Sequence, residues 1–139
     1  MKIDVELCRE VKERILAEPD MFDMGTYASE SDDGCGTVCC LAGHAAVARG
    51  WKVNHRSWFA TKNGVEIHIA EAAELEFAVK KTEGDDEYDA LSDKLFFLSG
   101  WPSEFRKACN EDGITPQREA QVTAELLQSI IDRGGEIYW

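Results

Sequence analysis

The stretch "GCGTVCCLAGHAAVARG", residues 34–50, gathers three cysteines, a histidine and four glycines into seventeen positions. Two chemistries use such a set. Zinc accepts thiolates and an imidazole, so Cys35, Cys40 and His44 form one candidate metal site. A fourth ligand would have to come from Cys39, Cys8, Cys109, an acid or water. The C-x4-C-x3-H spacing departs from the common zinc patterns, and no second ligand pair follows downstream. The other chemistry is nucleophilic. A cysteine ahead of a helix can have its pKa lowered by the helix dipole, which makes Cys35 the candidate nucleophile. His44 would be its base, about two turns along the axis, a long reach for a direct hydrogen bond. A third reading is structural. Cys39 or Cys40 packs as a small hydrophobe, Gly34 and Gly36 shape a loop, and Cys35 and Thr37 bond the exposed amides of a helix start. An anion could also use those amides, but the acidic "ESDD" beside them opposes it.

Helical spacing decides which of these side chains meet. Thr37 is an eligible N-cap for a helix over about 38–49, which Gly50 would end in a left-handed conformation. On that helix His44 falls one turn after Cys40, on the same face. Cys39 is turned about 100° from Cys40, so the two do not easily share a site. Ala42, Gly43, Ala45, Ala46 and Ala48 make the helix narrow enough for close approach. Gly43 costs about 1 kcal/mol relative to alanine in a helix interior. Its presence points to a backbone contact that a methyl would block.

The framework around this segment reads as mainly α. Asp4 caps a first helix on which Val5, Cys8, Val11, Ile15 and Leu16 recur at helical spacing, and Pro19 ends it. Cys8 lies on that stripe and is read as core. Met21, Phe22, Met24 and Tyr27 in "DMFDMGTYA" are available to cover it, and "SESDDG" (29–34) is an acidic loop. Asn63-Gly64 then separates two short runs, the second alternating Val65, Ile67 and Ile69 with Glu66 and His68. This predicts a hairpin over about 57–62 and 65–69 with a type I′ turn. His55 and His68 are read as solvated rather than as ligands. A helix over about 70–80 should turn Ala70, Ala73 and Phe77 inward, with Leu75 as a further candidate. "KTEGDDE" is a loop, and another helix carries Tyr88, Leu91, Leu95 and Leu98, flanked by Phe96 and Phe97, until "SGWP" stops it. Ser103 caps a short helix over 104–110. Thr115 caps the last one, with Pro116 at its first position and Val122, Leu126, Leu127, Ile130 and Ile131 as its stripe. Gly134 and Gly135 end that helix, and the apolar tail "EIYW" should dock. The expectation is a single domain over 1–139, mainly α (α+β), with five to six helices and one small hairpin.

By this point the chain resembles a group of small bacterial and phage proteins that share a CGTxxCxAGxA motif at a helix start. The matching pieces are "MFDMGTYA", "CGTVCCLAGHAA", a hairpin running into "IAEAAELEF", "KLFFLSGWP" and "TPQREAQVTAELLQSIIDRG". The resemblance implies that Cys35, Gly36, Thr37, Cys40, Ala42 and Gly43 form the shared signature. Position 39 is more often a small residue in that pattern, so Cys39 departs from it. The resemblance implies a fold; it brings no activity with it.

Length and charge bound the rest. A chain of 139 residues can bury about two thirds of its unfolded surface, so neither a metal nor a disulfide is needed to hold a core. No apolar run approaches the ~18 residues of a membrane span, and the charged N-terminus lacks a signal-peptide stretch. The odd count of five cysteines precludes complete internal pairing. Both facts point to a cytoplasmic protein with free thiols and no membrane contact. The net charge of −12 argues against direct nucleic-acid binding and suits a basic protein partner, as an inhibitor or accessory factor of phage or mobile-element origin. Trp51, Trp58, Trp101 and Trp139 are the candidate anchors, with at least two of them expected in the core. The expected function is therefore a non-enzymatic acidic protein-binding module with no cofactor. The alternative is a thiol- or zinc-dependent enzyme centred on Cys35, Cys40 and His44.

Overall fold

Helix α1 (Val5–Ala17) starts at Asp4, whose side chain accepts the Leu7 amide at 3.0 Å. Its buried stripe is Leu7, Cys8, Val11 and Ile15, and Glu18 closes it ahead of a short 3-10 turn, Pro19–Met21. In this computed structural model residues 1–30, 37–77 and 91–139 are described. The expectations for Cys35, Gly34, Gly36, Tyr88 and the "KTEGDDE" loop lie outside them.

The segment after residue 36 departs from expectation. Thr37 does not cap a helix. The chain is extended there, with β1 (Ala28–Glu30) pairing antiparallel to β2 (Thr37–Cys39), and Ala28 opposite Cys39. Two β-branched residues, Thr37 and Val38, open the segment and favour extended backbone. Helix α2 is therefore only Leu41–Ala48, with Cys40 as its N-cap at φ −75°, ψ −174°. Gly50 ends it at φ +88°, as the sequence predicts.

The hairpin forms as expected from β4 (Phe59–Lys62) and β5 (Val65–His68), with Asn63 and Gly64 both at positive φ. A short strand, β3 (Lys52–Val53), adds to its edge and makes a three-stranded antiparallel sheet. Helix α3 (Ile69–Glu76) follows without a loop because His68 serves as its cap, Nδ1 accepting the Ala70 amide at 3.0 Å. Leu75 does not face inward; it is 66% exposed. From Leu91 the chain runs through a π-helical turn, Ser92–Phe96, and a 3-10 turn, Leu98–Gly100, rather than a regular helix. The chain folds back closely here. A Cβ at Gly100 would lie 1.6 Å from the Asp93 carbonyl oxygen. Helix α4 (Ser103–Cys109) is preceded by Pro102, so Ser103 lies inside the first turn and is not the cap. Helix α5 (Pro116–Asp132) starts at Thr115, whose hydroxyl accepts the Arg118 amide at 3.1 Å.

The core is continuous. Helix α1 packs most extensively on α5, and α2 packs on both α1 and α3. The tail docks: the Ile137 amide donates to the Met1 carbonyl, Ile137 is buried, and the amino terminus pairs with Glu136 at 2.9 Å. The architecture is an α+β domain of five α-helices and two small antiparallel sheets among the described residues. None of the described helices is long and apolar enough to cross a membrane.

Candidate functional site

Cys39 and Cys40 are adjacent, both buried, and face different surroundings. Cys39 ends a strand, whereas Cys40 is an N-cap in extended conformation. Successive side chains of an extended chain point to opposite sides. Cys39 accordingly lines a cleft of about 620 Å³ with His44, between the end of α1, α2 and β3. Cys40 lines a second recess of about 190 Å³ with Met24, Tyr27, Trp58, Phe96 and Phe97.

The expected pairing of Cys40 with His44 is thus corrected. The His44 amide donates to the Cys40 carbonyl at 3.0 Å, so the one-turn spacing is real. The rule that residues four apart share a face assumes helical backbone at both, and the N-cap does not have it. Cys39, expected to fall away, is the cysteine that shares a cleft with His44. Cys35 lies outside the described residues. Among the described residues no three His, Cys, Asp or Glu side chains are grouped so as to hold a metal ion.

His44 is a buried neutral ring. Its Nε2–H donates to the Met21 carbonyl at 2.7 Å, and Phe22 stands 5.9 Å away, centroid to centroid. Burial pushes its pKa down to about 4, against the pull of the Met21 carbonyl, and the nearby Arg14 charge adds to the lowering. Burial likewise pushes Cys39 up to about 12 and Cys40 up to about 11, although the Ala42 and Gly43 amides at the start of α2 favour the Cys40 thiolate. Cys8 is driven up to about 12 and Cys109 to about 11 by the same desolvation. These thiols are protonated at neutral pH, while nucleophiles and zinc ligands need thiolates.

Gly43 carries the contact its cost implied. A Cβ there would meet the Cys39 Cβ at 2.5 Å and the Tyr27 carbonyl oxygen at 2.7 Å. The glycine lets α2 sit against the β1–β2 pair, and both recesses are built on that junction.

The second recess is aromatic. Tyr27 is its centre, with ring centroids at 5.4 Å to Trp58, 4.9 Å to His68 and 6.0 Å to Phe97, all edge-on. Phe59 extends the group, 6.1 Å from His68. Trp58, Phe59 and Phe97 remain 40%, 40% and 43% exposed. Trp58 holds φ 60°, a left-handed conformation rare for a bulky side chain. Its indole N–H donates to the Ala28 carbonyl at 3.0 Å, and its own backbone bonds Asn54 and Ile69. The fold therefore fixes this ring in place while leaving it open to solvent.

The four tryptophans separate clearly. Trp51 and Trp101 are buried, with N–H groups bonded to Glu76 at 2.9 Å and the Leu95 carbonyl at 2.8 Å. Trp139 is half-buried and bonds the Lys94 carbonyl. Trp58 is the exposed one. Sequence reasoning named Trp58 but missed Tyr27, Phe59, Phe97 and His68 as its neighbours. The signal available was the aromatic run at the hairpin start, Trp58-Phe59, whose two side chains the strand alternation did not both hide. Comparison with protein-family models, with curated proteins and with solved structures finds no match to this chain.

Proposed function

We propose that the chain is a non-enzymatic protein-binding module whose docking surface is the aromatic recess around Tyr27. The observation that carries this is the convergence of two large exposed aromatics, Trp58 and Phe97, on a single concave spot around Tyr27, with Trp58 held at positive φ. Rigid aromatic anchors contribute most of the binding energy at protein interfaces, and strained backbone concentrates at functional positions. The partner chemistry follows from charge. A chain of net charge −12 attracts a basic surface, so the proposed partner offers an apolar side chain to the recess from within a Lys/Arg-rich rim. On the motif resemblance we extend the proposal to an inhibitor or accessory factor of phage or mobile-element origin, acting in the cytoplasm of a bacterial host.

The thiol- or zinc-dependent alternative draws no support from the described residues, whose thiols are buried and protonated. The test is capture of host protein by the immobilised chain, with Trp58→Ala and Phe97→Ser as controls. Retention at low salt that is lost in both variants and weakened by added salt is the expected result. A retained set identical for the wild type and both variants, or no retention at low salt, would overturn the proposal.

A further inference from the structure

The cleft behind Cys39 has features that the docking surface does not use. Among the described residues the two recesses share no lining residue. The cleft's volume of about 620 Å³ lies within the range of small-molecule sites. Its walls carry Met21, Val47 and Trp51 as apolar surface. The Trp51 indole N–H is already bonded to Glu76, so this side chain presents only carbon to a ligand. The lining also holds Arg14, from the last turn of α1, and Lys52, from β3. Both are exposed, and neither forms an ion pair or side-chain hydrogen bond among the described residues. Among the described residues Glu18 is the one acid in the lining, so their contribution to the cleft is locally cationic in a chain that is otherwise strongly acidic. Unpaired cations above an apolar floor call for an anion attached to an apolar body. Arginine's planar fork matches a carboxylate in two parallel hydrogen bonds.

We propose that this cleft binds a small organic carboxylate, its ring-sized apolar body against Met21, Val47 and Trp51 and its carboxylate held between Arg14 and Lys52. Neither half suffices. The overall charge of −12 repels a bare anion, and an apolar body alone leaves the two cations unused.

The test uses the 15N-labelled full chain titrated with 2-naphthoate, with its neutral counterpart 2-naphthamide, and with inorganic phosphate. Saturable shifts at Val47, Lys52 and the Trp51 indole N–H are expected for 2-naphthoate alone, with half-saturation at about 1 mM or below. Arg14→Gln and Lys52→Gln should each weaken binding by roughly tenfold, the loss of one charge-assisted contact. Both residues are exposed, and Lys52→Gln, on β3 rather than α1, tests the same contact should Arg14→Gln disturb α1. Trp58→Ala should leave naphthoate binding intact. Absence of saturation by about 10 mM overturns the proposal. Equal binding of the amide or of phosphate, or indifference to both charge substitutions, overturns it as well.

Discussion

His44 is buried as a neutral ring in the fold and returns to water on unfolding. Its pKa is about 4 when folded and about 6.5 when free. The unfolded chain therefore binds the proton first as acid is added. Stability from this residue is fully present above pH 6.5 and is lost as the pH falls through the folded value, by on the order of 3 kcal/mol in all. Urea unfolding across this range should show the decline, and His44→Gln, which keeps a donor for the Met21 carbonyl, should flatten it. Gly43→Ala is the second expectation at this scale. It should destabilise by roughly 1–3 kcal/mol despite alanine's better helix propensity, because the methyl collides with Cys39 and the Tyr27 carbonyl. Thermal or urea denaturation measures it. The backbone contact at Gly43 was legible from residue type alone. The partner of His44 was not, since it depends on the backbone conformation of Cys40, and a cysteine is equally at home as a cap or inside a helix.

At the scale of elements, side-chain caps carry much of the local definition. Asp4, His68 and Thr115 each accept an amide at the start of a helix. Thr115→Ala should cost about 1 kcal/mol, read as a lower urea midpoint with an unchanged slope. Asp4 and Thr115 were readable because the residue, the apolar period and, at α5, Pro116 all agree. The hairpin was readable for the same reason, since Asn63-Gly64 admits few other turns. The β1–β2 pair was not. Each strand has three residues, too few to show alternation, and the small residues of α2 made a longer helix seem to begin sooner. The π-helical turn at Ser92–Phe96 is equally opaque. Tertiary contacts maintain it: the Trp101 N–H on the Leu95 carbonyl and the tight approach of Gly100 to Asp93.

Over the whole molecule, the two ends of the chain are stitched together. The backbones of Lys2 and Glu136 form an isolated antiparallel β-bridge, Ile3 donates to the Gly135 carbonyl, and Ile137 is buried beside Met1. Gly135 is at φ +92°, with a would-be Cβ only 2.3 Å from the Ile3 carbonyl oxygen. Ile137→Ala should therefore destabilise the entire domain by roughly 2–4 kcal/mol, measured by calorimetry, although it lies two positions from residue 139. The apolar tail predicted this docking. The aromatic surface, in contrast, emerges only when residues 27, 58, 59, 68 and 97 converge from separate elements.

The α1–α5 pairing also governs how the chain behaves while it is being made. The stripe of Leu7, Val11 and Ile15 is synthesised about 100 residues before its main partner surface, Val122 to Ile130, an interval on the order of 5–20 s. During that interval the first helix has α2 to pack against but lacks α5, its most extensive partner. The domain thus completes its core only after synthesis of the last helix.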